Sequence, residues 1–148
     1  MTDNKYQALE LENQLCFPLY AVSKEIIAKY HDYLKDIDLT YTQYVVMMVL
    51  WKEKSLNVKA LGEKVRLDSG TLTPLLKKLE KKGYITRKRD KDDERNLIIS
   101  LTDSGDALKE KALEIPYKMG KCVPISVEDA KTLYDILYKL LKNLWTQN

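Results

Sequence analysis

Histidine occurs once in the 148-residue chain, at His31, and cysteine twice, at Cys16 and Cys122. One histidine and two cysteines make no metal-ligand cluster, and two thiols in a chain of this size make no disulfide framework of the secreted kind. Glycine (five) and proline (four) are too sparse for a turn-rich β architecture, so helix is expected to dominate. No apolar run reaches the roughly 18 residues a membrane span takes. The first 25 residues carry no basic stretch leading into an apolar one. The expected compartment is the cytoplasm, where a structural disulfide is not expected but a redox-active thiol is permitted. No cofactor is implied.

What is present is a mixture of 45% hydrophobic and 32% charged residues, the composition of a globular protein rich in surface charge. The length suits one domain, or one domain with arms, and is too short for a barrel or a large doubly wound sheet. A net charge of +3 says little, but its distribution says more. Lys77 to Arg95 holds nine basic residues against five acidic ones, a local excess of +4 that leaves −1 for the rest.

Leu15, Leu19, Val22, Ile26, Tyr30, Tyr33 and Leu34 recur at spacings of three and four, the stripe of a long helix. Pro18 near its beginning predicts a kink or a late start. "DLTYTQYVVMMVLWKEK" predicts a central helix that is apolar nearly all round, capped by Thr40 or Thr42. Then come two short helices on a tight turn, Val58 to Val65 behind Asn57 and a second behind Asp68 or Ser69, stopped at Gly83. This is the pattern of a helix-turn-helix. "YITRKR" and "NLIISLT", joined by "DKDDER", predict a two-stranded hairpin with a charged tip, the place of a wing. A helix behind Thr102, a connector "YKMGKCVPI" after Pro116, and a last helix capped by Ser126 complete the chain.

The expected architecture is therefore mostly α with a small β-hairpin: a winged helix-turn-helix between N- and C-terminal dimerisation helices. Residues 1–40 would form the arm, 41–105 the DNA-binding unit and 106–148 the C-terminal dimerisation helices. The dimer follows from the stripe Leu133, Ile136, Leu137, Leu140, Leu141 and Leu144, which a small winged domain cannot cover.

If the second helix enters a major groove, Ser69, Thr71 and Thr73 at its N-terminal end are candidates for base edges and phosphates. Lys77 and Lys78 would come one turn later. On the hairpin, Arg95 is the candidate for the minor groove, with Asp93 orienting it, while Arg87, Lys88 and Arg89 would track the phosphates.

The stretch "LDSGTLTPLLKKLEKKGYITRKRDKDDERNLIISLTDSG" resembles the DNA-binding module of the MarR family of bacterial regulators, including its wing pattern at Asp93, Arg95, Leu101 and Thr102. The resemblance implies a homodimer on double-stranded, pseudo-palindromic operator DNA, usually repressing. "LENQLCFPLYAVSKEI" with "LTYTQY" is similar to the peroxide-sensing OhrR branch and related staphylococcal regulators. In that branch the residue matching Cys16 is oxidised by organic hydroperoxides, and tyrosines matching Tyr30 and Tyr41 hydrogen-bond it across the dimer. Cys122 is, on the same resemblance, either a second thiol that closes an intersubunit disulfide or a bystander, with a small cellular thiol capping oxidised Cys16 instead.

Thiolate chemistry accords with this. A thiolate attacks the O–O bond of a peroxide, and the sulfenic acid it leaves condenses with another thiol. Two other readings remain at the level of sequence: the same dimer controlled by a phenolic or aromatic ligand, and a thiol peroxidase using Cys16 and Cys122. Against the peroxidase, no second charged group lies near Cys16, and the winged module would have no purpose.

Overall fold

The computed structural model describes residues 5–145. Seven α-helices, three 3-10 turns and three short strands make up the described chain. Helix α1 (Cys16–Leu34) opens just ahead of Pro18, its third residue. The missing proline N–H would have had no helical partner there, so Pro18 fits the first turn. A short 3-10 turn and the left-handed Asp38 (φ 52°) then swing the chain into α2 (Tyr41–Glu53). Of the two expected caps, Thr40 is used. Its hydroxyl accepts from the Gln43 N–H, and the Gln43 side chain accepts from the Thr40 N–H in return.

The helix-turn-helix comprises α3 (Val58–Val65), capped by Asn57, and α4 (Ser69–Lys81), capped by Asp68. Each of these caps contributes about 1 kcal/mol to holding its helix start in place. Gly83 ends α4 with φ +80°, a conformation that costs glycine little. Strands β2 (Ile85–Arg89) and β3 (Leu97–Leu101) form the expected hairpin, with Ile85 opposite Leu101 and Arg89 opposite Leu97.

Two expectations need correction. The wing is a three-stranded antiparallel sheet, because β1 (Ser55–Asn57) pairs with the far side of β3, Leu56 opposite Ile99. The segment expected to be a connector also contains helix α6 (Ile115–Cys122), which comes after α5 (Asp103–Ala112) and a short break. Pro116 stands in the first turn of α6, where its missing donor is tolerated, and burial of Ile115 and Met119 holds the helix down.

One core joins these parts. Leu34 of α1, Met47 and Leu50 of α2, Leu61 of α3, Leu72, Leu76 and Leu79 of α4, and Ile85 and Ile99 of the sheet are all essentially inaccessible. Trp51 donates its ring N–H to the Gly105 carbonyl at 2.9 Å, tying α2 to α5. Helix α7 (Val127–Trp145) begins with Ser126 capping the Asp129 N–H, as expected, and buries none of its side chains fully.

Candidate nucleic-acid interface and thiol site

The candidate DNA-reading groups share one exposed side. The four buried leucines of α4 turn its other face outward, so Ser69, Thr71, Thr73, Lys77 and Lys78 are all exposed. The helix start is fixed by Asp68, whose carboxylate accepts from the Thr71 N–H at 2.8 Å. The opposite end is clasped to the α1–α2 corner. There the Lys82 ammonium donates to the Asp38 carbonyl, lies 3.3 Å from the Asp38 carboxylate and reaches the buried Gln43 side-chain oxygen, also at 3.3 Å.

On the wing the expected Asp93–Arg95 pair forms as a fork. Arg95 donates through Nε at 3.0 Å and through a terminal nitrogen at 3.2 Å, while its backbone N–H meets the same carboxylate at 3.1 Å. The Arg95 hydrogen bonds hold the Asp93 carboxyl below the usual carboxylate range. Arg95 itself is 92% exposed at the hairpin tip, so the fork aims it outward from the protein.

Sequence position groups Arg87 with the free phosphate-tracking cations. The structure instead ties its guanidinium to Glu80 of α4 at 3.1 and 3.3 Å, with the Arg87 N–H on the same carboxylate. This bridge between recognition helix and wing crosses two elements, and spacing along the chain does not reveal it. Lys88 and Arg89 differ from Arg87 in burial: both are exposed, whereas Arg87 is half-buried.

The two thiols belong to helices α1 and α6. Cys16 is exposed at the head of α1, with Leu15, Phe17 and Leu19 exposed around it. Tyr30 and Tyr41 pack ring against ring, centroids 4.9 Å apart, and Tyr44 lies beyond Tyr30 at 5.9 Å. Burial, and secondarily the neighbouring Tyr41 phenol, raises the Tyr30 phenol above its ordinary pKa, so it is a hydrogen-bond donor at neutral pH. Within the single chain Cys16 and Tyr30 are not brought together, since fourteen positions of continuous helix, about 21 Å, separate them along α1.

Cys122 ends α6 and is partly buried, its sulfur 2.9 Å from the Tyr33 hydroxyl. The sequence pattern places Tyr33 only in the apolar stripe. The contact depends on α6 being a helix, so a segment read as a connector gives no sign of it.

Along α1 and α7 an apolar surface is left uncovered. Two hollows of about 510 and 500 Å³ open between the helices, bounded by Leu19, Val22, Ile26 and Leu133 among others.

The sequence profile described as "Transcriptional regulator SarA/Rot" matches residues 28–112. The chain is 48% identical over 146 residues to the organic hydroperoxide resistance transcriptional regulator of Bacillus subtilis, covering 99% of each chain. The chain belongs to the SarA/Rot family of MarR-like transcriptional regulators. It is also 55% identical over 127 residues to the regulator SarZ of Staphylococcus aureus, covering 86% of each. Among solved structures, AbfR of Staphylococcus epidermidis bound to DNA, in reduced and in overoxidised form, matches with a TM-score of 0.78. The identity is 38%, with 95% of this chain and 98% of AbfR covered. This SarA/Rot-family membership confirms the winged-helix expectation. Transcriptional regulators are a non-enzymatic class, which removes the thiol-peroxidase reading. Among the described residues no helix is long and apolar enough to cross a membrane.

Proposed function

We propose that the protein is a homodimeric, cytoplasmic DNA-binding regulator, acting as a repressor, that leaves its operator when Cys16 is oxidised by an organic hydroperoxide. The observation that carries the reading is the exposed Cys16 thiol at the head of α1, on an uncovered apolar face, in a chain so similar to a regulator named for organic hydroperoxide resistance. The uncovered faces of α1 and α7 form the dimer, with residues 1–40 and 106–148 supplying it and 41–105 binding DNA. The two exposed faces of α4 then enter adjacent major grooves, and each Arg95 reaches into the flanking minor groove. Ser69, Thr71, Thr73, Lys77, Lys78 and Arg89 make contacts along the groove, while Arg87 braces the wing against α4.

Oxidation begins with the Cys16 thiolate attacking the hydroperoxide. Sulfur takes the outer oxygen as sulfenic acid, and the alcohol leaves with a proton. The geometry limits the next step within one chain. The seventeen steps from Cys16 to Tyr33 run in one continuous helix, about 25 Å at 1.5 Å per residue. Cys122 is held at the Tyr33 end, whereas a disulfide needs Cα atoms within about 7 Å. An intrachain Cys16–Cys122 bond is thus out of reach while α1 is intact, and the reading adopted for the resolving thiol is Cys122 of the partner subunit. A small cellular thiol is the competing route. That AbfR is known in a disulfide-formed state supports the first.

The test is binding to the protein's own promoter DNA at fixed salt, before and after stoichiometric organic hydroperoxide, with Cys16→Ser in parallel. The expected result is release of the wild type and retention of the variant. If both stay bound, Cys16 is not the switch.

A further inference from the structure

Cys122 does not project freely into solvent. It is the last residue of α6, partly buried, and its sulfur meets the hydroxyl of Tyr33, one turn beyond Tyr30 on α1. A phenol O–H is a strong donor, whereas a thiol S–H is a weak one, so the tyrosine is the donor and sulfur the acceptor. The direction of the Tyr33 phenol agrees: hydrogen bonding to Cys122 is the foremost cause raising it above its ordinary value.

We infer that Tyr33 is the positioning residue for the resolving thiol, holding the Cys122 sulfur by a donated hydrogen bond so that it attacks the oxidised sensor thiol of the partner subunit. This rests on the proposed Cys16-to-Cys122 chemistry and adds to it a residue and a step. In that step the Cys122 thiolate attacks the Cys16 sulfenic sulfur. The S–S bond forms, the S–O bond breaks, and hydroxide leaves to be protonated to water. Two thiols and one hydroperoxide thereby give one disulfide, one alcohol and one water. Tyr33 exchanges no electrons; its O–H fixes one lone pair of the attacking sulfur and leaves another free. A hydrogen bond to sulfur strengthens as the sulfur gains charge, so its effect falls on this second step and not on the first.

The experiment uses full-length dimer treated with one equivalent of cumene hydroperoxide per thiol pair. Consumption of peroxide reports the first step, and non-reducing electrophoresis with dimedone trapping reports the second. Tyr33→Phe, which keeps the ring in place and removes only the hydroxyl, is expected to consume peroxide at the wild-type rate. Disulfide should form roughly tenfold more slowly, with dimedone-trapped sulfenic acid persisting. Val123→Ala, which loosens packing at the end of α6 without touching the hydrogen bond, should close its disulfide at nearly the wild-type rate.

Wild-type disulfide kinetics in Tyr33→Phe, or equal slowing in Val123→Ala, would overturn the role of the hydroxyl. Absence of any disulfide in the wild type would instead bring down the underlying Cys122 chemistry, and the inference with it. Should Tyr33→Phe fail to fold, tyrosinate absorbance against pH decides. Cys122→Ala should let one phenol ionise at lower pH than in the wild type, and an unchanged titration refutes the bond.

Discussion

Replacing Arg95 by alanine isolates what the wing tip does. Its side chain is 92% exposed and bonds only to Asp93 among the contacts described, so folding stability should change by no more than about 0.5 kcal/mol. Its effect on DNA should be much larger. Losing a guanidinium from each minor groove, at about 1 kcal/mol per wing, weakens dimer binding by about 2 kcal/mol, or roughly thirtyfold. Two fewer neutralised phosphates also lower the slope of log affinity against log salt by about 1.8. Fluorescence anisotropy on the promoter fragment across a salt series measures both.

Asp93→Ala separates charge from geometry. It raises the net charge of each wing by one and would tighten binding if charge alone mattered, but the fork holding Arg95 is lost, and the expected result is weaker binding. Because Arg95 depresses the Asp93 carboxyl, the fork is fully formed above the ordinary carboxylate pKa and is lost only as pH falls through the lowered value. Affinity should therefore show no Asp93 titration between about pH 5 and 8. Tighter binding by Asp93→Ala, or an unchanged salt slope in Arg95→Ala, would refute the wing reading.

Two predictions concern how the reading unit is held. A Cβ on Gly105 would fall 2.1 Å from the Tyr84 carbonyl oxygen and 2.9 Å from Leu101 Cδ1, and the Gly105 carbonyl also holds Trp51. Gly105→Ala should accordingly cost about 3 kcal/mol, a fall in melting temperature of about 10 °C, and an unchanged midpoint would show that this approach is not tight. Asp68→Ala removes the cap of α4 and should lower stability by about 1 kcal/mol in urea titration, with hydrogen exchange rising in the first turn of α4. Equal protection there in both proteins would mean the cap is redundant.

The elements most legible in the sequence are those announced by local chemistry. Asn57, Thr102 and Gly83 each satisfy or end a helix through a side chain or backbone conformation that the residue itself supplies, and the structure uses all three. The Asp93–Arg95 fork is likewise local, two residues apart. What escapes a reading of the sequence is non-local. Strand β1 is three residues long and exists only because β3 offers its second edge. Helix α6 carries Pro116, which reads as a break, yet the proline sits in the first turn and burial of Ile115 and Met119 against the core holds the helix. The Arg87–Glu80 bridge and the Tyr33–Cys122 bond both join residues of different elements, the second separated by 89 positions.

On the proposed mechanism, the same non-local contacts connect the head of α1 with the proposed recognition helix. Helix α4 is held at its C-terminal end by Lys82, which grips Asp38 and Gln43 where α1 turns into α2. At its other end the turn from α3 is held from α7: the Arg66 guanidinium stacks 4.7 Å from the Trp145 ring centre and reaches the Leu141 carbonyl. The first anchor sits in the turn that follows α1 and on α2, and the second on α7, so both adjoin the helices whose uncovered faces form the proposed dimer. Between them four leucines of α4 are locked into a core that also contains Leu34 of α1. A close-packed unit of this kind transmits displacement without melting. A new covalent bond that shifts α1 or α7 therefore moves α4 as a body, and a change of a few ångströms in the separation of two such helices is enough to take them out of register with adjacent major grooves.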